Sequence, residues 1–271
     1  MPRVSIIIPV FDRIRPLERA LESLQKQTFQ DFEIIVVDDH SKEDIFSVTK
    51  KYGVQYLKTI GKGVSAARNT GIQSSSTELV AFLDSDDEWL PNKLELQVNY
   101  LSENLNGAIV HSNEIWIRNG QLVNQSSKHQ KLGGRIFSQC TELCLIAPSS
   151  VLVRRSFLNT VGLFDESFPV CEDFDLWLRM TALVDIGFMS ESLIVKHGGH
   201  KDQLSMQFHS MDLWRARALA KHLKNSNLSA DEKFVLNKSL KKKCEILLKG
   251  FYKHQNFENM DEIECYLASL T

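Results

Sequence analysis

No glycine occurs in the turn after the first apolar run, Pro9-Val10-Phe11-Asp12-Arg13. The G-x-G-x-x-G fingerprint of dinucleotide-binding enzymes is therefore missing, and no G-x-x-x-x-G-K-[ST] segment marks a P-loop NTPase. The same turn lacks the glycine- and lysine-rich loop that a nucleotidyltransferase would use for a triphosphate. Long apolar runs are absent too: none approaches the roughly 18 residues needed to span a bilayer. Met1-Pro2-Arg3-Val4-Ser5 shows no basic start, apolar middle and small-residue cleavage site, so the expectation is a cytoplasmic protein. The formal net charge of −2 carries no basic imprint of nucleic-acid binding. The 5 cysteines (Cys140, Cys144, Cys171, Cys244 and Cys265) are odd in number and irregular in spacing, which argues against a disulfide framework. Cys140 and Cys144 lie one helical turn apart, but no second Cys/His pair with ligand spacing follows them, so zinc is not expected.

What is present is an ordinary globular composition, with 43% apolar and 24% charged residues in 271. That length suits one large α/β domain or a catalytic domain with an appendage. Val4-Ser5-Ile6-Ile7-Ile8-Pro9-Val10 is a nearly continuous, β-branched apolar run, the pattern of a strand buried on both faces. A helix is expected to begin near Pro16 with the stripe Leu17, Ala20, Leu21 and Leu24. Further strands are predicted over residues 32–37, 54–57 and 79–83, with a short helix over 64–72 between the last two. Such alternation implies βαβ units in a doubly wound sheet, whose ligands gather beyond the carboxyl ends of the strands. Both acidic clusters, Asp38-Asp39 and Asp84-Ser85-Asp86-Asp87, fall at that edge.

Downstream, Pro91 is expected to open a helix, and Asn119-Gly120 is a hairpin signal after an extended stretch from Ala108 to Arg118. Residues 124–134 read as a polar loop. A strand near 151–153, a helix over 172–183 and a strand over 186–195 follow. From about Met206 the pattern is helical and rich in lysine (Lys221, Lys224, Lys238, Lys241, Lys242, Lys243, Lys249 and Lys253). We place a boundary near residue 205; the tail is either a helical cap on the catalytic domain or a surface that meets a membrane or partner. Its basic face is either simply solvated or a peripheral contact with the inner face of a membrane.

Taken alone, Asp84-Ser85-Asp86 is no better than a solvated acidic turn. Two carboxylates one residue apart at a strand end can also hold Mn²⁺ or Mg²⁺, which prefer oxygen ligands and leave positions for phosphate oxygens.

Seven segments in register resemble family 2 glycosyltransferases of the GT-A fold. They are residues 4–13, Gln27-Thr28-Phe29, residues 33–41, Gly63-Val64-Ser65-Ala66-Ala67-Arg68-Asn69-Thr70-Gly71, residues 82–87, Glu172-Asp173 with Leu176-Trp177-Leu178-Arg179, and residues 197–205. The resemblance covers residues 3–205. It implies a Rossmann-like mixed sheet flanked by helices, with a nucleotide-sugar-binding half (1–105), an acceptor-side half (106–205) and a C-terminal helical extension (206–271).

The resemblance also implies roles. Pro9, Phe11, Asp12, Asp39, Arg68, Asp84 and Ser85 match the nucleotide-sugar pocket, with Asp39 on the base, typically uracil. Asp86 and Asp84 match the cation ligands, and His200 matches a histidine near the diphosphate or metal, with His197 the second choice. Asp173 matches the general base, with Glu172 orienting the acceptor. Phe11 and Asp12 depart from the usual Tyr and Asn or Glu. No Gln-x-x-Arg-Trp segment of the processive synthases is present.

The residues add their own reading of the acidic pair. Asp173 heads the apolar stripe Leu176, Trp177 and Met180, which aims it inward rather than at water. Asp175 and Arg179 are four apart and read as a structural ion pair. Asp87 is read as a cap for the helix opened by Pro91. One base and one cation motif make inversion the simplest mechanism. The expected reaction moves a sugar from a UDP-sugar donor to a sugar or lipid-linked saccharide acceptor in cell-surface polysaccharide synthesis. The alternatives are a nucleotidyltransferase and a catalytically inactive nucleotide-sugar-binding protein.

Overall fold

The computed structural model describes residues 2–199, 203, 208, 210–225 and 227–270. Its framework is one mixed sheet of strands β1 (Val4–Val10), β2 (Phe32–Asp38), β3 (Gln55–Lys58), β4 (Leu79–Phe82), β5 (Glu88–Trp89), β6 (Ile109–Arg118), β7 (Gln121–Val123), β8 (Leu152–Arg154) and β9 (Gly187–Gly198). They run in the order β3-β2-β1-β4-β8-β6-β9-β5, with β7 paired to β6. The first four in sequence are mutually parallel. The β8 strand joins antiparallel to both β4 and β6, while β9 runs parallel to β6.

The unbroken apolar run of β1 has a direct cause: both of its faces are buried. Ile7 belongs to one core cluster, and Val4, Ile6, Ile8 and Val10 belong to the other. The second cluster is closed by helix α1 (Ile14–Gln25), through Leu17, Ala20, Leu21 and Leu24, and by α4 (Lys93–Glu103), through Leu94, Val98 and Leu101. The first cluster is covered by α3 (Val64–Ser74), which supplies Ala67 and Ile72. Helix α3 lies so close to β1 that a Cβ at Gly71 would meet Ile7 Cγ2 at 2.5 Å. Only glycine fits that approach. Helix α2 (Ile45–Tyr52) is capped by Asp44, whose side chain accepts from the Ser47 amide.

Several expectations change in detail. Helix α1 starts at Ile14, two residues before Pro16, because a proline in the first turn removes no intrahelical bond. Helix α4 starts at Lys93, not Pro91, and its N-cap Asn92 makes no side-chain cap bond. Asp87 caps nothing: its carboxylate is buried and accepts a 2.6 Å hydrogen bond from Ser149 Oγ. The β9 strand continues past Val195 to Gly198, because its parallel pairing with β6 persists to Arg118. The hairpin forms as expected, with Asn119 and Gly120 both at positive φ (50° and 76°).

Helices α5 (Phe137–Glu142), α6 (Arg155–Val161) and α7 (Glu172–Leu183) follow in the second part of the chain. The tail folds as α8 (Met211–Leu223), α9 (Ala230–His254) and α10 (Met260–Ala268), with a Ser229/Glu232 capping box opening α9. Their buried side chains, Leu213, Leu219, Leu240 and Phe251 among them, join the same cluster as Phe174 and Trp177 of α7. The boundary placed near residue 205 lies outside the described residues.

The expected Asp175–Arg179 pair forms at 2.9 Å and proves to be part of a larger clamp between α7 and α8. Asp175 is fully buried, with Lys221 Nζ at 2.8 Å and His222 Nε2 at 3.3 Å. Burial works to raise its pKa; His222, Arg179 and Lys221 outweigh it, and the net shift is downward. A carboxylate depressed in the folded state contributes stability above its ordinary value of 3.8, and that contribution is lost as pH falls through the folded value. We expect Asp175→Asn to cost about 3–5 kcal/mol at pH 7. The deficit should shrink in acid, as read from urea melts between pH 7 and pH 3.

Candidate active site

Because β1, β2 and β4 are parallel and adjacent, their carboxyl ends share one edge. Val10 lies opposite Asp38, and β4 stops beside Ile7, where the Leu83 amide donates to the Ile7 carbonyl. This register brings three acidic loops together.

The first two loops are laced to each other. Asp12, at φ 48°, donates its amide to Ser41 Oγ at 2.9 Å. Its Oδ1 accepts from the amides of Lys42 and Glu43. Asp12 thus organises the loop after β2, Phe11 is 56% exposed beside it, and Pro9 is buried within β1. Asp38 is buried, accepting from the Ser41 amide and from Tyr56 OH at 2.8 Å. Burial first, and Asp38 second, push the Tyr56 phenol up to about 12. Asp39 does not cap α2, a role taken by Asp44. Its Oδ2 accepts from the Gly63 amide at 2.8 Å, while its Oδ1 is buried with no hydrogen-bond partner among the described residues. Burial is the main reason that its pKa is raised.

At the third loop, Asp84 Oδ1 sits 2.7 Å from Arg68 Nη2, and the other arm of the same guanidinium reaches Glu172 Oε1 at 2.6 Å. Arg68 is only 3% exposed and lies over the Phe164 ring, 5.1 Å from its centroid. It rises from α3 as a bolt between β4 and the start of α7. Burial alone would lower its pKa, but Asp84 and Glu172 hold it charged. Ser85 is buried. Asp86 Oδ2 lies 2.6 Å from Arg13 Nη1, and the Asp86 carbonyl accepts from Arg19 Nη2 at 2.6 Å.

Helix α7 opens on Cys171, which adopts the left-handed conformation (φ 61°) and turns Glu172 and Asp173 toward the strand edge. Burial, with the Asp173 charge adding to it, pushes Glu172 up to about 7 against the pull of Arg68. Asp173 is half-buried. Its Oδ1 accepts from the Phe174 amide at 2.7 Å, and its Oδ2 accepts from Cys144 Sγ at 3.3 Å.

His197 Nε2 contacts Glu88 Oε1 at 2.6 Å, which commits that ring nitrogen. His200 lies outside the described residues.

Three residues enter that no motif announced. Ser149 gathers the acidic turn, accepting from the Asp84 amide and donating to Asp87. Cys144 reaches Asp173 from the loop after α5. Lys196, on β9 in register with Trp116, projects from the same face as Ile194, which pairs with Trp89. Burial works against its charge, yet Glu114, Asp87, Asp84 and Asp173 together raise its pKa. An i, i+2 alternation along β9 was the only sequence signal for Lys196.

Among the described residues no group of three or more His, Cys, Asp or Glu is arranged to hold a metal ion. Asp84 and Asp86 supply two hard oxygen ligands at one turn, the number that Mg²⁺ or Mn²⁺ uses when substrate phosphates complete the shell. The donor chemistry fits.

A mixed sheet of this order, with acidic turns beyond its parallel strands, defines an α/β protein of GT-A architecture. The model for glycosyl transferase family 2 matches residues 5–162, and the chain belongs to that family. It is 34% identical over 195 residues to an uncharacterized glycosyltransferase of Rickettsia bellii, covering 70% of this chain and 28% of that one. The chain thus spans little more than a quarter of that relative's length. It is 31% identical over 181 residues to the Escherichia coli UDP-Glc:alpha-D-GlcNAc-diphosphoundecaprenol beta-1,3-glucosyltransferase WfgD, covering 65% of this chain and 69% of that one. The solved structure of S. aureus TarS 1–349 with UDP-GlcNAc superposes with a TM-score of 0.78 at 21% identity, covering 100% of this chain and 80% of that one. That likeness establishes the fold.

Proposed function

We propose that this chain transfers a sugar, with inversion, from a UDP-sugar to a hydroxyl of a lipid-linked saccharide, with Mn²⁺ or Mg²⁺ bound beside the donor diphosphate. The observation that carries this reading is Asp39. A buried carboxylate oxygen without a partner, at the carboxyl edge of a parallel sheet, is an acceptor waiting for a donor. The imide N–H of uracil is such a donor, and neither adenine nor cytosine presents one on its ring in that position. The relative named as a UDP-Glc transferase supports the same choice of base.

Asp86 and Asp84 are the residues to hold the cation, whose charge would offset the negative charge growing on the leaving diphosphate. Arg68 fixes the Asp84 carboxylate, and Ser149 fixes its backbone. Asp173 is the base that takes the acceptor proton: it is half-buried, stands at the start of α7, and has no arginine or lysine ion pair among the described residues. Glu172 is locked to Arg68 and serves to hold the base's helix in place. The lipid-linked acceptor is supported by the undecaprenol-linked substrate in the name of the E. coli relative. No helix among the described residues is long and apolar enough to cross a membrane. A membrane contact would rest on the exposed face of α9, where Lys238, Lys241, Lys249 and Lys253 accompany Phe234 and Tyr252.

Titration calorimetry with UDP and Mn²⁺ tests the donor reading. UDP should bind in the micromolar to millimolar range, and Asp39→Ala should weaken it about tenfold, the worth of one hydrogen bond to a charged group. UDP should also be preferred over ADP and CDP. Equal affinity for all three nucleotides would remove the role given to Asp39.

A further inference from the structure

Asp86, the carboxylate assigned to the cation, already touches a cation of the chain itself. Arg13 Nη1 lies 2.6 Å from Asp86 Oδ2, and both side chains are mostly shielded, at 17% and 16% exposure. Arg13 follows β1 directly, at the start of α1, where its carbonyl accepts from the Leu17 amide. The adjoining loop is braced by Asp12 on Lys42 and Glu43, so the backbone that carries Arg13 is held. The guanidinium partner of Asp84, by contrast, is the buried Arg68, which is tied to Glu172 as well.

A divalent ion and a guanidinium compete for the same carboxylate oxygen. When the ion arrives with a nucleoside diphosphate, the displaced guanidinium finds phosphate oxygens within the same edge of the sheet. Its planar fork suits phosphate as well as it suits a carboxylate.

We propose that Arg13 is a donor-binding residue that occupies Asp86 in the empty protein and passes to the diphosphate when the cation takes Asp86. Donor and cation then enter together, and free cation alone binds weakly. This rests on the reading of Asp86 as a cation ligand given above. The charge count supports the exchange: Arg13 leaves a carboxylate that the divalent ion neutralises, and it gains a polyanion.

The test is Mn²⁺ binding to the full chain, followed by the electron paramagnetic resonance signal of free Mn²⁺, with and without UDP. Arg13→Ala should bind Mn²⁺ alone about tenfold more tightly than the wild type, since one charge-assisted contact no longer competes. UDP should tighten Mn²⁺ binding in the wild type by a clearly larger factor than in Arg13→Ala. Arg15→Ala removes an exposed cation two residues away and controls for the general field. Arg13→Gln, which keeps the length of the side chain without its charge, should behave like Arg13→Ala and guards against a folding artefact.

Unchanged or weaker Mn²⁺ binding in Arg13→Ala overturns the proposal while leaving the cation site intact. Equal tightening in Arg15→Ala also overturns it, since the effect would then come from net charge. If the wild type binds no Mn²⁺ even with UDP, the assignment of Asp86 falls, and this proposal falls with it.

Discussion

Asp173→Asn is expected to reduce sugar transfer by roughly 10²–10⁴-fold, the range general-base catalysis supplies, while UDP affinity stays within about twofold of the wild type. The argument is local. Asp173 is close to isosteric with asparagine, and the two contacts that hold it are preserved or nearly so. The Phe174 amide can still donate to the remaining carbonyl oxygen, and Cys144 can turn its thiol toward the other carbonyl at Ile146, 3.4 Å away. What the amide cannot do is take a proton from an attacking hydroxyl. The donor site proposed above lies at Asp39 and the β4 turn, so the loss should fall on kcat rather than on the nucleotide. Single-turnover transfer from a UDP-sugar, with UDP binding measured on the same preparation, separates the two. A variant that transfers at near wild-type rate would move the base elsewhere, and Glu172 is the neighbouring carboxylate to examine next.

The second large effect is structural. Arg68→Ala should destabilise the fold by about 3–5 kcal/mol, because it strips the counter-charge from two carboxylates that remain in place. Glu172 is as buried as Arg68 itself, and Asp84 is 29% exposed, so water can compensate the second loss better than the first. The sign with pH follows from Glu172. Its pKa in the fold is raised, chiefly by burial, from the ordinary 4.5 to about 7. A carboxyl shifted this way adds stability below about 4.5 that is lost as pH rises through about 7. Removing Arg68 takes away the one nearby charge that lowers it, so the variant's penalty should grow further above pH 7. Denaturation at pH 6 and pH 8 reads this directly: the deficit is expected to be larger at pH 8. A pH-independent deficit would mean that Glu172 finds another partner in the variant.

These two residues also show how far a sequence reaches. Arg68 stands out in Ser65-Ala66-Ala67-Arg68-Asn69 as a basic residue on a short helix, and the family resemblance places it facing the nucleotide. In the structure it is buried and joins the β4 turn to α7 through Asp84 and Glu172. Glu172 lies 104 positions from Arg68, and no local period can report a bond of that span. Asp87 shows the same limit on a smaller scale. An acid before a proline-initiated helix reads as a cap, yet Ser149, 62 positions away, claims its carboxylate. Asp12 reads as a pocket residue, and its Oδ1 also accepts from the amides of Lys42 and Glu43, a contact across 30 positions that no local pattern reports.

Strand and helix order was legible because it rests on short-range patterns. Continuous β-branched runs mark strands covered on both faces, and three- and four-residue spacing marks α1 and α7. The hairpin at Asn119-Gly120 was legible for the same reason, since left-handed φ is a property of the residues themselves. Strand order was not. The placing of β8 between β4 and β6, which delivers Ser149 to the acidic turn, depends on contacts 65 positions apart in the chain.

By itself the sequence determined the doubly wound start, the acidic edge beyond β1, β2 and β4, and the family. Each is written in residue types and their spacing. Only the tertiary structure decided which carboxylates are paired and which are left open. Arg68 takes Asp84 and Glu172, Arg13 takes one oxygen of Asp86, and one buried oxygen of Asp39 has no partner. Pairing is a matter of distance and burial between groups far apart in the chain, and those quantities exist only once it has folded.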